Sequence, residues 1–355
     1  MPTTPPAATL RSPRSSRRVF LPTAILGVII VAWSGFWWYA STRVQGEWDN
    51  FVARQAELGR QITCGDQGLA GYPFRLEMHC GGPQVVSTRP GQAFSLTLGD
   101  LNAVAQVYQP NKAILEAKGP LTLMDNDGSK ITASWKSAEA SMAIWTSGPQ
   151  NADVVIKNLD ASANRGGEAL PLFSGTNIEA HIRVAEGANA APGAYDLVAK
   201  ADAAAIPLLD ARLGNPTPLS AEVQGTITKI DLRPQPLPER LRTWAAEGGT
   251  LTIVLAQINR GPTSVKATGT VALDAEGHPA GDLVMALAGV NELANTLSQS
   301  GLVPGKFTSL IGVGLQMLGK PSNIDGKAAV EVPLKLNNGK VSIGAFPAGK
   351  LPSLF

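Results

Sequence analysis

The sequence predicts an α+β chain dominated by β structure: an N-terminal transmembrane helix, then an antiparallel, hairpin-rich curved sheet with a few covering helices. Three observations carry this. Val19 to Ala40 is a run of 22 residues without a charged side chain. From about Ile62 onward, apolar residues recur at every second position, the period of a half-buried strand, rather than every three or four. Turn residues separate those alternating runs, and 37 Gly and 26 Pro in 355 residues supply many turns.

Residues 1–18 are rich in Pro, Ser, Thr and Arg and read as a disordered cytoplasmic tail. The run at 19–40 spans roughly 33 Å as a helix, enough for a bilayer core. It is longer than the ~7–15 apolar residues of a signal peptide. Its cleavage signal is also poor, since Trp38 occupies the −3 position if Ala40 is −1. The far end holds Trp33, Phe36, Trp37, Trp38 and Tyr39, side chains that suit the headgroup level. Arg11, Arg14, Arg17 and Arg18 precede the run with no acid among them. The positive-inside rule then places the N-terminus in the cytoplasm and everything after Ala40 in the periplasm. Residues 41–60 read as a juxtamembrane helix, with Val44, Trp48, Phe51, Val52 and Leu58 along one stripe and Gly59 as its stop.

Residues 61–355 read as a β-rich periplasmic domain, with a subdivision placed near 205–220. Ile178, Ala180, Ile182 and Val184 alternate with Glu179, His181 and Arg183. Ile253 and Leu255 alternate with Thr252 and Val254, a pattern that reads as a strand covered on both faces. Asp125-Asn126-Asp127-Gly128 and Asn337-Asn338-Gly339 read as hairpin turns. Helices are expected at Leu237–Glu247, opened by Pro238, at Val290–Ser300, at Phe307–Leu318 and in a short stretch near Ala203–Arg212.

The two cysteines, Cys64 and Cys80, fall in the compartment where disulfides form. The 15 residues between them close a loop for which chain entropy predicts about 3 kcal/mol. Leu76, Met78 and Cys80 share one face of their strand, so a bridge there would be protected. Between the cysteines lies Gly71-Tyr72-Pro73-Phe74-Arg75. Gly71 permits a turn, Pro73 fixes φ and Tyr72 is held extended, so the segment leads into a strand in a set direction.

An arginine-flanked anchor, a following helix, Thr63-Cys64-Gly65, the Gly-Tyr-Pro-Phe-Arg-Leu segment and a second Cys resemble the bacterial domain-of-unknown-function family 2125. Trp244-Ala-Ala-Glu-Gly-Gly-Thr-Leu, Gly269-Thr-Val-Ala-Leu-Asp, Gly277-His-Pro-Ala-Gly281 and Asn338-Gly339-Lys-Val-Ser-Ile-Gly extend the resemblance over most of the chain after Val19. It implies location and architecture, since the family has no established activity. More distantly, the layout is similar to AsmA-like envelope proteins, anchored β structures implicated in lipid homeostasis.

Chemistry is sparse. Net charge is +2, and without the four N-terminal arginines 26 basic residues face 28 acidic ones, which excludes a nucleic-acid surface. His79, His181 and His278 each lack a second His or Cys at ligand spacing and read as solvated side chains. No nucleophile elbow, zinc-protease motif or phosphate loop occurs. The expectation is a non-enzymatic protein with no cofactor and no metal, held at the inner membrane by residues 19–40. An open sheet would offer a groove for a lipid or another apolar ligand in envelope homeostasis. The alternative is a structural or interaction module with a closed core and no ligand.

Overall fold

A computed structural model describes residues 17–355 except 90, 92, 146–147, 187–192, 234, 300–318 and 345. The helix expected at Phe307–Leu318 and most of the N-terminal tail lie outside the described residues.

The anchor and the juxtamembrane stretch form one helix, α1 (Arg17–Glu57). It begins two residues inside the stretch read as tail and stops before residue 60. Gly59 takes φ +70°, and its N–H donates to the Ala56 carbonyl at 2.9 Å, which turns the chain into the first strand. α1 is long and apolar enough to cross a membrane.

The rest is an antiparallel meander, in which strands pair chiefly with their neighbours in sequence. Its first five passes are each broken in two: β1 (Arg60–Thr63) and β2 (Asp66–Ala70); β3 (Arg75–Gly81) and β4 (Gln84–Ser87); β5 (Phe94–Thr97) and β6 (Asp100–Gln106); β7 (Gln109–Lys118) and β8 (Leu121–Asp125); β9 (Lys130–Ser134) and β10 (Ser137–Trp145). A long hairpin follows, β11 (Gly148–Arg165) and β12 (Glu168–Val184). β11 pairs with β10 along one part of its length and with β9 along the other, so both segments join one sheet. Then come β13 (Tyr195–Ala204), α2 (Pro207–Leu213), β14 (Leu219–Ile227), α3 (Leu237–Ala246), β15 (Leu251–Arg260), β16 (Thr263–Leu273), β17 (Pro279–Ala288) and α4 (Val290–Gln299). β18 (Lys320–Ile324), β19 (Lys327–Asn337), β20 (Lys340–Ile343) and β21 (Phe346–Lys350) close the chain, with β19 paired to β17, β18 and β20.

The breaks in the first five passes are aligned. Gly65 N–H donates to the Gly81 carbonyl, Gly82 N–H to the Gly99 carbonyl, and Lys136 N–H to the Lys157 carbonyl. Asn158, at φ +52°, continues the same line in β11. At Gly99 a side chain is excluded, because a Cβ would stand 2.5 Å from the Gly119 carbonyl oxygen. This crease also shifts phase: Leu96 pairs with Val85 and Leu123 before it, and Leu101 pairs with Cys80 and Ala117 after it. The apolar set thus stays on one side although the period slips by one.

Two expectations need correction. The stretch 203–206 is not helical: Ala204 ends β13, and α2 begins at Pro207, where proline suits a first turn. β15 is not covered on both faces. Its register slips between Ile253 and Ala256, and Val254 stands 61% exposed in the resulting bulge. The segment at Gly71–Phe74 leads into β3 as expected and forms the tight β2–β3 turn, closed by Arg75 N–H on the Gly71 carbonyl at 2.9 Å, with a cis Tyr72–Pro73 bond.

Candidate functional site

Cross-strand partners lie on the same face of a sheet, so the register sorts every side chain. Ala140, Val154, Ala180, Ala199, Val223 and Ala256 form one row. It continues through Ala267 and Met285 to Val332. The rows two residues away on either side are equally apolar, running through Met142, Ala152, Ile182 and Leu197, and through Ile156, Ile178, Ala201 and Ala221. The intervening positions are polar: Glu139, Glu179, Lys200, Glu222 and Gln257 lie in register with Val155. One face is therefore a continuous apolar surface and the other a charged one.

Helices lie against the two ends of the apolar face, with a buried cluster at the α4 end. α4 places Val290 and Leu293 against Leu287, Val332, Val265 and Met285. At the opposite edge α1 lies over β1–β3, with Trp48 and Val52 beside Ile62 and Cys64, and Val44 beside Leu69 and Met78. Between these ends, from β7 to β15, the side chains of the apolar rows are half-buried or exposed rather than fully buried. A sandwich core would bury them completely. The apolar face is thus covered at α4 and uncovered through its middle, while a cavity of about 570 Å³ lies on the charged face between Asp153, His181, Asp196 and Lys200.

Cys64 and Cys80 are bonded, with Cα atoms 5.4 Å apart, and Cys80 is buried. The bond ties the start of β2 to the end of β3 beneath α1. Tyr72, Pro73, Phe74 and Arg75 dock the β2–β3 turn on that helix. Trp33 Nε1 donates to the Pro73 carbonyl and Trp37 Nε1 to the Arg75 carbonyl, both at 2.9 Å. Ser34 Oγ and Tyr72 OH share a hydrogen bond at 2.8 Å. Trp37 meets the Tyr72 ring edge-on, with centroids 5.5 Å apart. Gly71 takes φ +101° against the Arg75 backbone, which closes the turn.

On the charged face, His181 is not merely solvated. Its Nδ1 is 2.9 Å from Asp153 Oδ1 and its Nε2 is 3.5 Å from Glu179 Oε2. Ser141 Oγ donates to the other Asp153 oxygen at 3.0 Å. The Asp153 hydrogen bond, with that to Glu179, raises the imidazole above its ordinary value against some desolvation. Glu179 is lowered, first by the Asn177 hydrogen bond and then by His181. The two carboxylates face opposite edges of the ring, which favours its protonated form, and they do not converge on a point a metal could occupy. Among the described residues no three His, Cys, Asp or Glu side chains are grouped to hold a metal ion. His79 faces Asn102 at 2.6 Å and His278 faces Asp274 at 3.4 Å. Sequence reasoning missed the His181 cluster because Asp153 lies 28 positions away and only the β11–β12 register brings it alongside. The outward position of His181 was readable from the alternation in β12.

A family model described as an uncharacterized protein conserved in bacteria, DUF2125, matches residues 37–352. That span takes in α1 from Trp37 onward, the disulfide and the whole meander, and the chain belongs to this family. No match was found among curated proteins.

Proposed function

We propose that this DUF2125 member is a non-enzymatic, single-pass inner-membrane protein whose periplasmic sheet carries a lipid acyl chain, or a similarly apolar ligand, along its trough. The observation that supports this most is the row from Ala140 to Ala256, apolar at every position and fully buried at none. Exposing such a surface costs roughly 25 cal/mol for each Å² left in water, and an acyl chain laid along it would recover that. The N-terminal arginines support a cytoplasmic N-terminus, and the disulfide suits an oxidising compartment. Anchorage through α1 holds the trough beside a source of lipid.

Native mass spectrometry of the detergent-extracted protein tests the ligand. The expected spectrum contains a lipid adduct that is lost in Ile182→Lys, a change on the apolar face of β12, while the variant remains folded. A parent protein without adduct, together with an Ile182→Lys variant that unfolds, would overturn the trough and favour a closed interaction module. Alkaline phosphatase fused after Phe355 should be active; an inactive but well-expressed fusion would reverse the orientation.

A further inference from the structure

We infer that the sheet makes a second contact with the bilayer, through the rim formed by the turns nearest the anchor. The inference rests on reading α1 as a membrane anchor.

A meander sends alternate turns to opposite ends of its sheet. The β2–β3 turn, the β6–β7 turn and the paired ends of β10 and β11 at Trp145 and Gly148 share one end, since Val107 N–H donates to the Phe74 carbonyl and Ala143 pairs with Lys112 near the start of β7. That end carries large apolar side chains facing solvent: Tyr72, Phe74, Tyr108, Ile144 and Trp145, with Tyr108 58% and Trp145 59% exposed. The opposite end differs in its turn tips, although Met124, Ile131 and Leu170 are exposed on the strands behind them. Its turns present Asn126-Asp127-Gly128 and Gly166-Gly167.

Depth follows from the docking of Tyr72–Arg75 on Trp33 and Trp37. These residues stand seven and three positions before the end of the uncharged run at Ala40. At 1.5 Å per residue, the contact lies about 5–10 Å inside that end of the apolar segment. A turn hydrogen-bonded at that level sits in the headgroup and upper acyl region, where Trp and Tyr are favoured. Just behind the tips stand Lys112 and Arg75, the latter paired with Glu77 at 3.1 Å. That is the level at which lipid phosphates meet cations. Tyr108 and Trp145 continue the rim away from α1, so the occupant is the same leaflet. The apolar row through Leu76, Ala105, Ala113 and Met142 runs beside this rim.

The test uses the full chain with Tyr108→Cys, Trp145→Cys, Asn126→Cys or Ile29→Cys, labelled without reductant by an environment-sensitive dye. Each is reconstituted in vesicles of phosphatidylethanolamine and phosphatidylglycerol. Labels at 108 and 145 should emit to the blue, lose intensity to a shallow lipid-borne quencher and resist iodide. The label at 126 should do the reverse, and the label at 29 should respond to a deep lipid quencher. Iodide access at 108 or 145 equal to that at 126, with 29 protected, would overturn the rim and leave the anchor standing. Iodide access at 29 would overturn both.

Discussion

Val154 and Val332 are the same residue type, in the same cross-strand row, on the same face. Val154 is 41% exposed and Val332 0%. Nothing in the alternation around them differs: Val332 sits in Ala-Val-Glu-Val-Pro-Leu and Val154 in Ala-Asp-Val-Val-Ile. The difference is what lies above. The chain leaves β17 through α4, whose Leu293 and Val290 fold back over Val332 and Leu287. β11 passes straight through a hairpin into β12, so no cover is supplied locally. One sheet therefore contains a core at one end and an uncovered apolar surface in its middle, built from a single pattern.

The largest effect should come from charging the sealed end. Val332→Asp should cost about 4 kcal/mol or more, since the carboxylate gains neither water nor a partner. Urea unfolding in detergent would show this as a fall in midpoint; an unchanged midpoint would mean that α4 does not close that end. Next is the disulfide beneath α1. Cys64→Ala should cost about 2–5 kcal/mol, read by the same titration, and alkylation of the unreduced, unfolded parent should find no free thiol.

A smaller effect is expected on the uncovered surface. Val154→Asp, in the row of Val332, should cost about 1 kcal/mol or less because its charge reaches water. Ile182→Lys can likewise extend its amine past the neighbouring strands. Losses as large as that of Val332→Asp would erase the contrast between the two regions.

The smallest effect lies on the charged face of the sheet. The folded state raises the His181 pKa above its ordinary value of 6.5. Its contribution is therefore full below about pH 6.5 and fades as pH rises through the folded value. Glu179 is lowered from 4.5, so its contribution is present above about pH 4.5 and fades on acidification. Removing the ring in His181→Gln should thus lower the melting temperature most between these limits and little at pH 9. Wild type and variant differing equally at pH 5.5 and pH 9 would place the pairing elsewhere.

Much of this molecule was legible in the linear chain because the signals are local. An uncharged run long enough for a bilayer, alternation at period 2, and Asn-Gly turns each depend on a few adjacent residues. The bond between Cys64 and Cys80 was legible too, since a 15-residue loop closes readily and Cys80 falls on the apolar face of its strand. Nothing local in the chain marks Gly65, Gly82 and Gly99 as one feature; the backbone hydrogen bonds align them into one crease. The Gly-Tyr-Pro-Phe turn was legible as a lead into a strand, and its docking on Trp33 and Trp37 was not. His181 looked solvated until Asp153 came alongside. Period 2 tells which way a side chain points and carries no information about what will cover it. Cover depends on where α1 and α4 come to rest, and those contacts join residues far apart in the chain. The sequence by itself determined two faces, one apolar and one charged; only the tertiary structure decided that the apolar one is sealed over Val332 and open over Val154.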